Sequence, residues 1–223
     1  MNLALPRLLQ LASPALPVGA YTYSQGLEWA VEAGLVRDQA TAGSWIGGVL
    51  EEGIGRFEAP LTDCLQRAWS AADIAEVERL NAEYLASRES SELRAESVQM
   101  GYSLRRLLHD LDERSLPPAF DAMSEPAFPA AWALAAAVWN IPPADSLTAY
   151  LWSWCENQVL AALKTVPLGQ AAGQRLLLAL GGRLPALVQQ ALVLPEAEWS
   201  NFAPGFALAS SGHEMQYSRL FRS

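Results

Sequence analysis

The chain has 223 residues and a formal net charge of −9, and 51% of its residues are hydrophobic while 17% are charged. This composition is too apolar for a disordered chain and too interrupted by charge for a membrane protein. The negative charge also disfavours nucleic acid as a partner, because it repels the phosphate backbone. We therefore expect one soluble domain that binds neither nucleic acid nor a membrane.

Residue usage favours helices over sheet. The chain contains 38 Ala and 35 Leu but only 11 Val and 4 Ile. Ala and Leu lose little on entering a helix, whereas β-branched residues are the ones that suit a pleated sheet. An all-α fold is therefore predicted.

The N-terminal part begins with a short Leu-rich segment, Leu3 to Leu11, followed by a loop with two prolines and a glycine at 13–24. A helix is predicted from Ser24 to Gly34, because glycine commonly follows the last residue of a helix. Asp38 is a candidate cap for the next helix, whose apolar residues recur at helical spacing as far as Ile54. Several glycines weaken that helix, and they indicate close packing or a bend.

The middle of the chain carries the strongest helical patterns. Asp73 followed by Glu76 matches a capping box and opens an amphipathic helix. A second long helix is predicted from about Glu89 to Asp110, and the alternating charges from Arg88 to Arg94 predict a solvated face at its start. The segment from Asp145 to Val166 is apolar on nearly all sides, so it is predicted to be the central helix.

The remaining predicted elements are one Pro-interrupted connection and three helices: Leu116–Pro129, then Ala130–Trp139, Gly169–Leu180 and Leu184–Leu194. No regular element is predicted for 200–223, where prolines and glycines interrupt any period. The sequence thus predicts a bundle of about eight to ten helices over residues 1–204 and a partner-binding tail over residues 205–223, called the tail below. We expect the tail to be mobile by itself and ordered on a partner.

Residues capable of catalysis or metal binding are sparse. The sequence contains no nucleophile elbow, zinc-protease motif, dinucleotide fingerprint or phosphate loop, which weakens an enzymatic interpretation. Cys64 and Cys155 lie far apart without a CxxC pair, as is typical of core residues in a cytoplasmic protein. His109 is interpreted as a solvated helix end, and His213 lacks further nearby ligands in the sequence. A catalytic or metal role for either, or a contribution of His213 across a subunit interface, stays open.

Lys164 is the only lysine, against fourteen arginines, and it ends the most apolar helix. A cation at a helix C-terminus is stabilising by itself. The alternative is that its ammonium meets an acidic group of a partner.

The tail is richer in apolar residues than a solvated chain end. Tyr217, Leu220 and Phe221 are interleaved with Arg219 and Arg222. Exposed aromatic and arginine side chains are typical anchors of protein interfaces, and we name Tyr217, Arg219 and Phe221 as the best candidates. Docking of the tail on its own domain is the alternative.

Four segments together resemble the UreF family of urease accessory proteins. They are LQLASPALPVGAYTYSQGLEWAVEAG at 9–34, SRESSELR at 87–94, KTVPLGQ at 164–170 and HEMQYSRLFRS at 213–223. Their order and spacing match along nearly the whole chain, and the first and last are the most specific. The stretch 110–144 resembles no family motif.

The resemblance implies a non-enzymatic, all-helical homodimer that binds the UreD (also called UreH) scaffold and the UreG GTPase during GTP-dependent nickel insertion into apo-urease. It implies no tightly bound cofactor, since nickel and GTP are handled by the complex. The tail residues implied to contact UreD are His213, Glu214, Tyr217, Ser218, Arg219, Leu220 and Phe221. The residues implied to face UreG or another surface of the complex are Pro17, Gly19, Tyr23, Ser24, Gln25, Glu28, Lys164, Pro167, Gly169 and Gln170.

Two alternatives remain at this point. One is a helical enzyme with an apolar pocket that uses His109 or His213 as its base, and the other is a helical adaptor outside urease maturation. An arginine finger would be the chemistry of a GTPase-activating role, but the sequence singles out none of the fourteen arginines.

Overall fold

The computed structural model describes residues 3–111, 113 and 115–223, in which no β-strand occurs, so the predicted all-α single domain is confirmed. The α-helices are α1 (Ala4–Leu11), α2 (Leu27–Glu32), α3 (Gln39–Val49), α4 (Ala59–Ser70), α5 (Ile74–Ala86), α6 (Ser91–Asp110), α7 (Pro118–Ala122), α8 (Phe128–Val138), α9 (Pro143–Thr165), α10 (Gln170–Gly181), α11 (Leu184–Ala191) and α12 (Pro204–Glu214). A π-helix spans Leu50–Glu58, and 3₁₀ turns span Ala20–Thr22 and Glu196–Glu198. Within the described ranges, ten of the α-helices have eight or more residues, which agrees with the predicted eight to ten.

Helices begin at the caps that the sequence indicates. The Asp38 side chain accepts a hydrogen bond from the Thr41 N–H, and the Thr41 hydroxyl accepts one from the Asp38 N–H, so α3 begins with a complete capping box. Asp73 accepts a hydrogen bond from the Glu76 N–H at the start of α5. Ser90 does the same for α6. Each cap satisfies an N–H group that has no partner within its helix.

Helix α2 is shorter than predicted at its start. It begins at Leu27 rather than near Ser24, because Gln25 and Gly26 have φ angles of 53° and 76°. Both lie in the left-handed region, where the chain turns instead of continuing a helix. The predicted end is confirmed, since Gly34 follows the helix with a φ of 73°.

The core is organised around α8 and α9. Helix α9, predicted to be central, packs against α1, α2, α3, α4, α10 and α11. Helix α8 lies against α4 and α6 with nearly every side chain buried. Its Trp132 is fully buried and donates an indole hydrogen bond to the Ser146 hydroxyl. None of the helices in the described part of the chain is long and apolar enough to cross a membrane.

The π-helix continues α3 into α4 without a break in the helical path. Its hydrogen bonds span five residues instead of four, so the side chains that follow are rotated relative to those of α3. Gly55 fits this segment because a Cβ atom there would lie 2.9 Å from the Leu50 carbonyl oxygen. The rotation places Glu58 inside the protein, where it is buried. Two of the glycines that weaken the predicted helix, Gly53 and Gly55, lie in this segment, and the other three lie in α3.

The prediction that 200–223 forms no regular element is wrong. Helix α12 occupies Pro204–Glu214 and begins with a proline in its first turn, where the missing N–H has no helical partner to lose. Its buried residues include Phe206, Ala209 and His213, a stripe of two turns that is too short to stand out as a period. The predicted boundary at residue 205 therefore falls inside a helix.

Helix α12 packs closely against α2. A Cβ atom at Gly212 would lie 2.4 Å from the Trp29 indole, and a Cβ atom at Gly26 would lie 3.0 Å from the Ser210 nitrogen. Only glycine allows so close an approach at these two positions. The tail thus starts from a helix that is seated on the domain.

Candidate functional site

The last residues of the tail lie against the loop that precedes α2. The Ser223 main-chain oxygen accepts hydrogen bonds from the N–H groups of Ser24 and Gln25, at 2.8 and 3.0 Å, and from the Ser24 hydroxyl at 2.6 Å. The Arg222 N–H donates to the Thr22 carbonyl oxygen at 2.9 Å. The first and last sequence motifs therefore form one site. The expected mobility of the tail stays a prediction.

Glu28 of α2 holds the tail backbone. Its Oε1 accepts a hydrogen bond from the Leu220 N–H at 2.7 Å, and its Oε2 accepts one from the Phe221 N–H at 3.0 Å. Glu28 is only 7% exposed. Hydrogen bonds to a carboxylate are roughly twice as strong as neutral ones, so this buried side chain is a strong attachment point.

Glu92 of α6 binds two tail side chains. His213 is fully buried, with its Nδ1 2.7 Å from Glu92 Oε2 and its Nε2 3.4 Å from Glu28 Oε2. Arg219 forms an ion pair with Glu92 Oε1. His213 is therefore held by contacts to α2 and α6, and its side chain is not exposed to a partner.

Glu214 caps the start of α6. Its Oε1 accepts hydrogen bonds from the Ser91 N–H and hydroxyl, at 2.8 and 2.6 Å, and from the Glu92 N–H at 3.2 Å. The Ser91 hydroxyl is the main reason why the pKa of Glu214 lies below its usual range. A carboxylate at a helix N-terminus is also favoured by the helix dipole.

Lys164 contacts the tail. Its Nζ lies 5.2 Å from the centre of the Phe221 ring, which is itself buried. Such a cation–π contact contributes about 0.5–1 kcal/mol at an exposed site. The structure therefore gives the only lysine an intramolecular contact, in addition to its position at the end of α9.

Burial divides the predicted tail residues into two groups. His213 and Phe221 are buried and fix the tail to the domain. Tyr217 is fully exposed, Leu220 is 74% exposed, and the neighbouring Met215 is 86% exposed. These three exposed apolar side chains, called the tail ridge below, lie within residues 215–220, as does the exposed Ser218. The sequence prediction did not name Met215, although this residue belongs to the motif at 213–223.

Helix α9 positions the loop that receives the tail. The Asn157 side-chain amide donates to the Tyr23 carbonyl oxygen at 3.0 Å, and the Trp154 indole donates to the Gln25 side-chain oxygen at 2.7 Å. Tyr23 is buried, like Ser24 and Glu28. These residues were predicted to lie on a surface of the complex, but they are buried and form the site on which the tail docks.

The other predicted surface residues are accessible. Pro17 is exposed, and Gly19 has a φ of 82°, which suits glycine at the start of the 3₁₀ turn. Pro167 and Gly169 are exposed in the turn between α9 and α10, and Gln170 is exposed as the first residue of α10. They adjoin Lys164 in the chain and leave a free surface at that end of α9.

A buried polar network near the tail was missed by sequence reasoning. Glu58 Oε2 lies 3.2 Å from both the Tyr84 hydroxyl and Arg88 Nη1, and its Oε1 accepts a hydrogen bond from Tyr150. Burial, together with the Glu58 charge, raises the pKa of both tyrosines, so their hydroxyls stay protonated donors. The predicted solvated face is wrong at Arg88, whose side chain is only 6% exposed. Its partner, Glu58, lies on the π-helix, so no pattern of neighbouring residues in the sequence reveals this contact.

A cavity of about 90 Å³ adjoins this network between α1, α6 and α9. Glu58 and Glu96 line it, whereas His109 and His213 do not. His109 lies near the end of α6, 2.7 Å from Asp121, and is exposed as predicted. The structure therefore does not support an enzyme that uses either histidine in this pocket. Within the described residues, no three or more His, Cys, Asp or Glu side chains are grouped to hold a metal ion.

Glu96 connects the cavity to the tail. It accepts hydrogen bonds from the Gln25 side-chain amide at 2.7 Å and from the Ser223 hydroxyl at 2.6 Å. Burial raises its pKa to about 7, although both hydrogen bonds act in the opposite direction. The tail thus ends on a carboxyl group that changes charge near neutral pH.

Fold and site define a helical protein with a docked tail that presents an apolar ridge. The UreF family model matches residues 36–181. The chain is 66% identical over 225 residues to the urease accessory protein UreF of Azoarcus sp. strain BH72, covering 99% of this chain and 96% of that protein. It is 61% identical over 224 residues to the urease accessory protein UreF of Dechloromonas aromatica strain RCB, covering 99% and 98%. The chain therefore belongs to the UreF family of urease accessory proteins.

Proposed function

We propose that this chain is a non-enzymatic adaptor that binds the UreD/UreH scaffold and the UreG GTPase during GTP-dependent insertion of nickel into apo-urease. Membership of the UreF family supports the link to urease maturation. Binding energy orders the GTPase and the scaffold relative to each other, so that the metal passes between sites without release. The observation that carries the proposal is the apolar tail ridge on a backbone fixed by buried contacts.

The tail ridge is the surface that we assign to UreD. An interface anchor needs exposed apolar area on a backbone that loses little freedom on binding. Tyr217, Leu220 and Met215 meet both conditions, since Glu28 and Glu92 already hold the tail. This assignment replaces Phe221 as an anchor, because its ring is buried in the domain.

A pull-down of UreD by variants of the full chain tests this assignment. Tyr217→Ala and Leu220→Ala should each weaken capture by at least about fivefold, as expected of anchors whose truncation costs more than about 1 kcal/mol. Leu178→Ala is the matched control, since Leu178 is 79% exposed on α10 and lies outside the tail. Unchanged capture by both ridge variants, with helical content preserved, would remove the ridge from the UreD interface.

UreG is assigned to the exposed surface around Lys164 and the turn that follows α9. Gln170→Ala should reduce capture of UreG by the complex while leaving capture of UreD intact, because Gln170 is exposed and lies outside the tail. Pro17→Ala tests the loop before α2 in the same way: capture of UreG should fall while capture of UreD stays intact. Equal loss of both partners would indicate a structural defect instead.

The isolated chain should not hydrolyse GTP and should bind nickel weakly at most. It lacks a phosphate loop, and the described residues lack a cluster of metal ligands. Calorimetric titration with nickel and a phosphate-release assay measure both properties, and a submicromolar nickel site would contradict the proposal. Light scattering tests whether the chain forms the homodimer that the family resemblance implies.

A further inference from the structure

The cavity between α1, α6 and α9 reaches from the protein interior to its surface. Glu58, Glu96 and Trp132 line it with buried side chains, whereas Tyr21 and Leu160 in the same lining are exposed. Its volume of about 90 Å³ has room for about three water molecules at about 30 Å³ each, or for one small organic molecule. The cavity is therefore a candidate binding site for a ligand smaller than benzene, which occupies a cavity of about 150 Å³ in another protein.

The charges that line this cavity do not cancel. Three carboxyl groups, those of Glu58, Glu96 and Glu156, accompany one guanidinium group, that of Arg88. Arg88 pairs with Glu58 at 3.2 Å, and within the described residues neither Glu96 nor Glu156 forms an ion pair. Burial raises the pKa of both unpaired groups, to about 7 for Glu96, because it disfavours their anionic forms. A cation bound in the cavity would supply the missing positive charge.

The hydrogen-bond donors of Arg88 are already engaged, which disfavours an anionic ligand. Its Nη1 donates to Glu58 at 3.2 Å, and its Nη2 donates to the Ser87 hydroxyl at 3.0 Å. Its guanidinium also lies over the Tyr84 ring, 4.2 Å from the ring centre. An anion would have to displace these contacts of the only cationic side chain in the lining.

The Glu96 carboxylate, in contrast, has acceptor capacity left. An ionised carboxylate offers about four lone-pair positions, two on each oxygen. The Gln25 amide donates to Oε1 at 2.7 Å, and the Ser223 hydroxyl donates to Oε2 at 2.6 Å. One position therefore remains on each oxygen. Two parallel N–H groups of a planar cation bind a carboxylate through both of its oxygens.

Aromatic rings complete the lining of the cavity. Phe128 and Trp132 both lie against Tyr150, with ring centres 5.8 and 5.2 Å from that of Tyr150. The faces of such rings attract cations, and planar cations also stack on them. We propose that the cavity binds a small planar organic cation of the amidinium or guanidinium class, held by the Glu96 carboxylate among these rings. This inference concerns the free chain and does not depend on the partners assigned above.

Titration of the full chain with guanidinium chloride tests the proposal, at constant ionic strength and at about pH 8, where Glu96 is mostly ionised. The indole N–H signals of Trp132 and Trp154, which both line the cavity, should shift in NMR spectra and reach saturation. The expected dissociation constant is on the order of 1 mM, which lies within the ceiling for a ligand of so few atoms. Urea has the same planar shape without the charge, so it should cause no saturable shift at the same concentrations.

Two variants locate the binding site. Glu96→Gln should weaken guanidinium binding about tenfold or more, because it removes the acceptor for two N–H groups. Glu156→Gln should weaken it about two- to threefold, since this carboxylate is only partly buried. Glu78→Gln is the matched control, because Glu78 is exposed on α5 and lies outside the cavity lining.

The second variant keeps the test decisive if Glu96→Gln also disturbs the tail through Ser223. Binding that depends on both carboxylates and is unchanged in Glu78→Gln would support the proposal. The absence of a saturable shift at both indoles, equal binding of urea, or an unchanged affinity in either cavity variant would each overturn it.

Discussion

Replacing Glu28 by glutamine should weaken the attachment of the tail while leaving most of the domain intact. The carboxylate accepts two tail N–H groups, at 2.7 and 3.0 Å. A glutamine of the same shape offers one oxygen and one NH₂ group, so one tail N–H must face another donor. Losing a hydrogen bond to a charged acceptor costs about 1.5–3 kcal/mol. The Phe221 amide is buried, so water does not replace the lost acceptor while the tail stays docked.

Urea unfolding and hydrogen exchange together measure this effect. The free energy of unfolding should fall by about 1.5–3 kcal/mol if the tail stays docked. If the tail detaches, the fall is smaller and the Leu220 and Phe221 amides lose protection. Glu32→Gln is the matched control, since Glu32 is exposed one turn further along α2. A change within about 0.5 kcal/mol with full protection at both amides would refute the role of Glu28.

Four further substitutions test other parts of the structure. Burial raises the pKa of Glu96 from 4.5 to about 7, so its contribution to stability is complete below about pH 4.5 and is lost as pH rises through 7. Glu96→Gln should flatten this dependence in urea unfolding and stabilise the protein above pH 7, by about 3 kcal/mol at most. A Cβ atom at Gly101 would lie 1.9 Å from the Pro126 carbonyl oxygen, so Gly101→Ala should destabilise by about 1–3 kcal/mol or more in thermal unfolding. In contrast, Gly48→Ala meets nothing within 4 Å and should be stabilising by up to about 1 kcal/mol. Lys164→Ala should lower the free energy of unfolding by only about 0.5–1 kcal/mol, yet it should impair urease activation. A larger loss of stability with a parallel loss of activation would show that the role of Lys164 is structural.

Local sequence signals predicted much of the fold. Asp38 and Asp73 cap helices because their side chains bond to amides three residues away, an interaction contained within one short segment. The apolar circumference of α9 likewise predicted its central position, since only a helix packed on most sides can bury it. These features depend on residues that are close in sequence.

The features that escaped prediction depend on distant partners. Helix α12 is stabilised by a buried stripe of only two turns and by the close approach of Gly212 to Trp29, which lies in α2. Arg88 points inward because the π-helix presents Glu58 to it. Composition also could not tell which aromatic residues of the tail are covered: Phe221 is buried and Tyr217 is exposed, although both resemble interface anchors.

The span of the tail contacts has a kinetic consequence. Ser24 and Ser223 are 199 positions apart, and Glu28 and Phe221 are 193 apart. Closing so long a loop is entropically costly, so we expect these contacts to form after the helices of the core have assembled. Interactions that are absent from the transition state change the unfolding rate and leave the folding rate nearly constant. The tail contacts should therefore govern how long a folded molecule persists rather than how fast it is made, and opening should begin where the two distant parts of the chain meet.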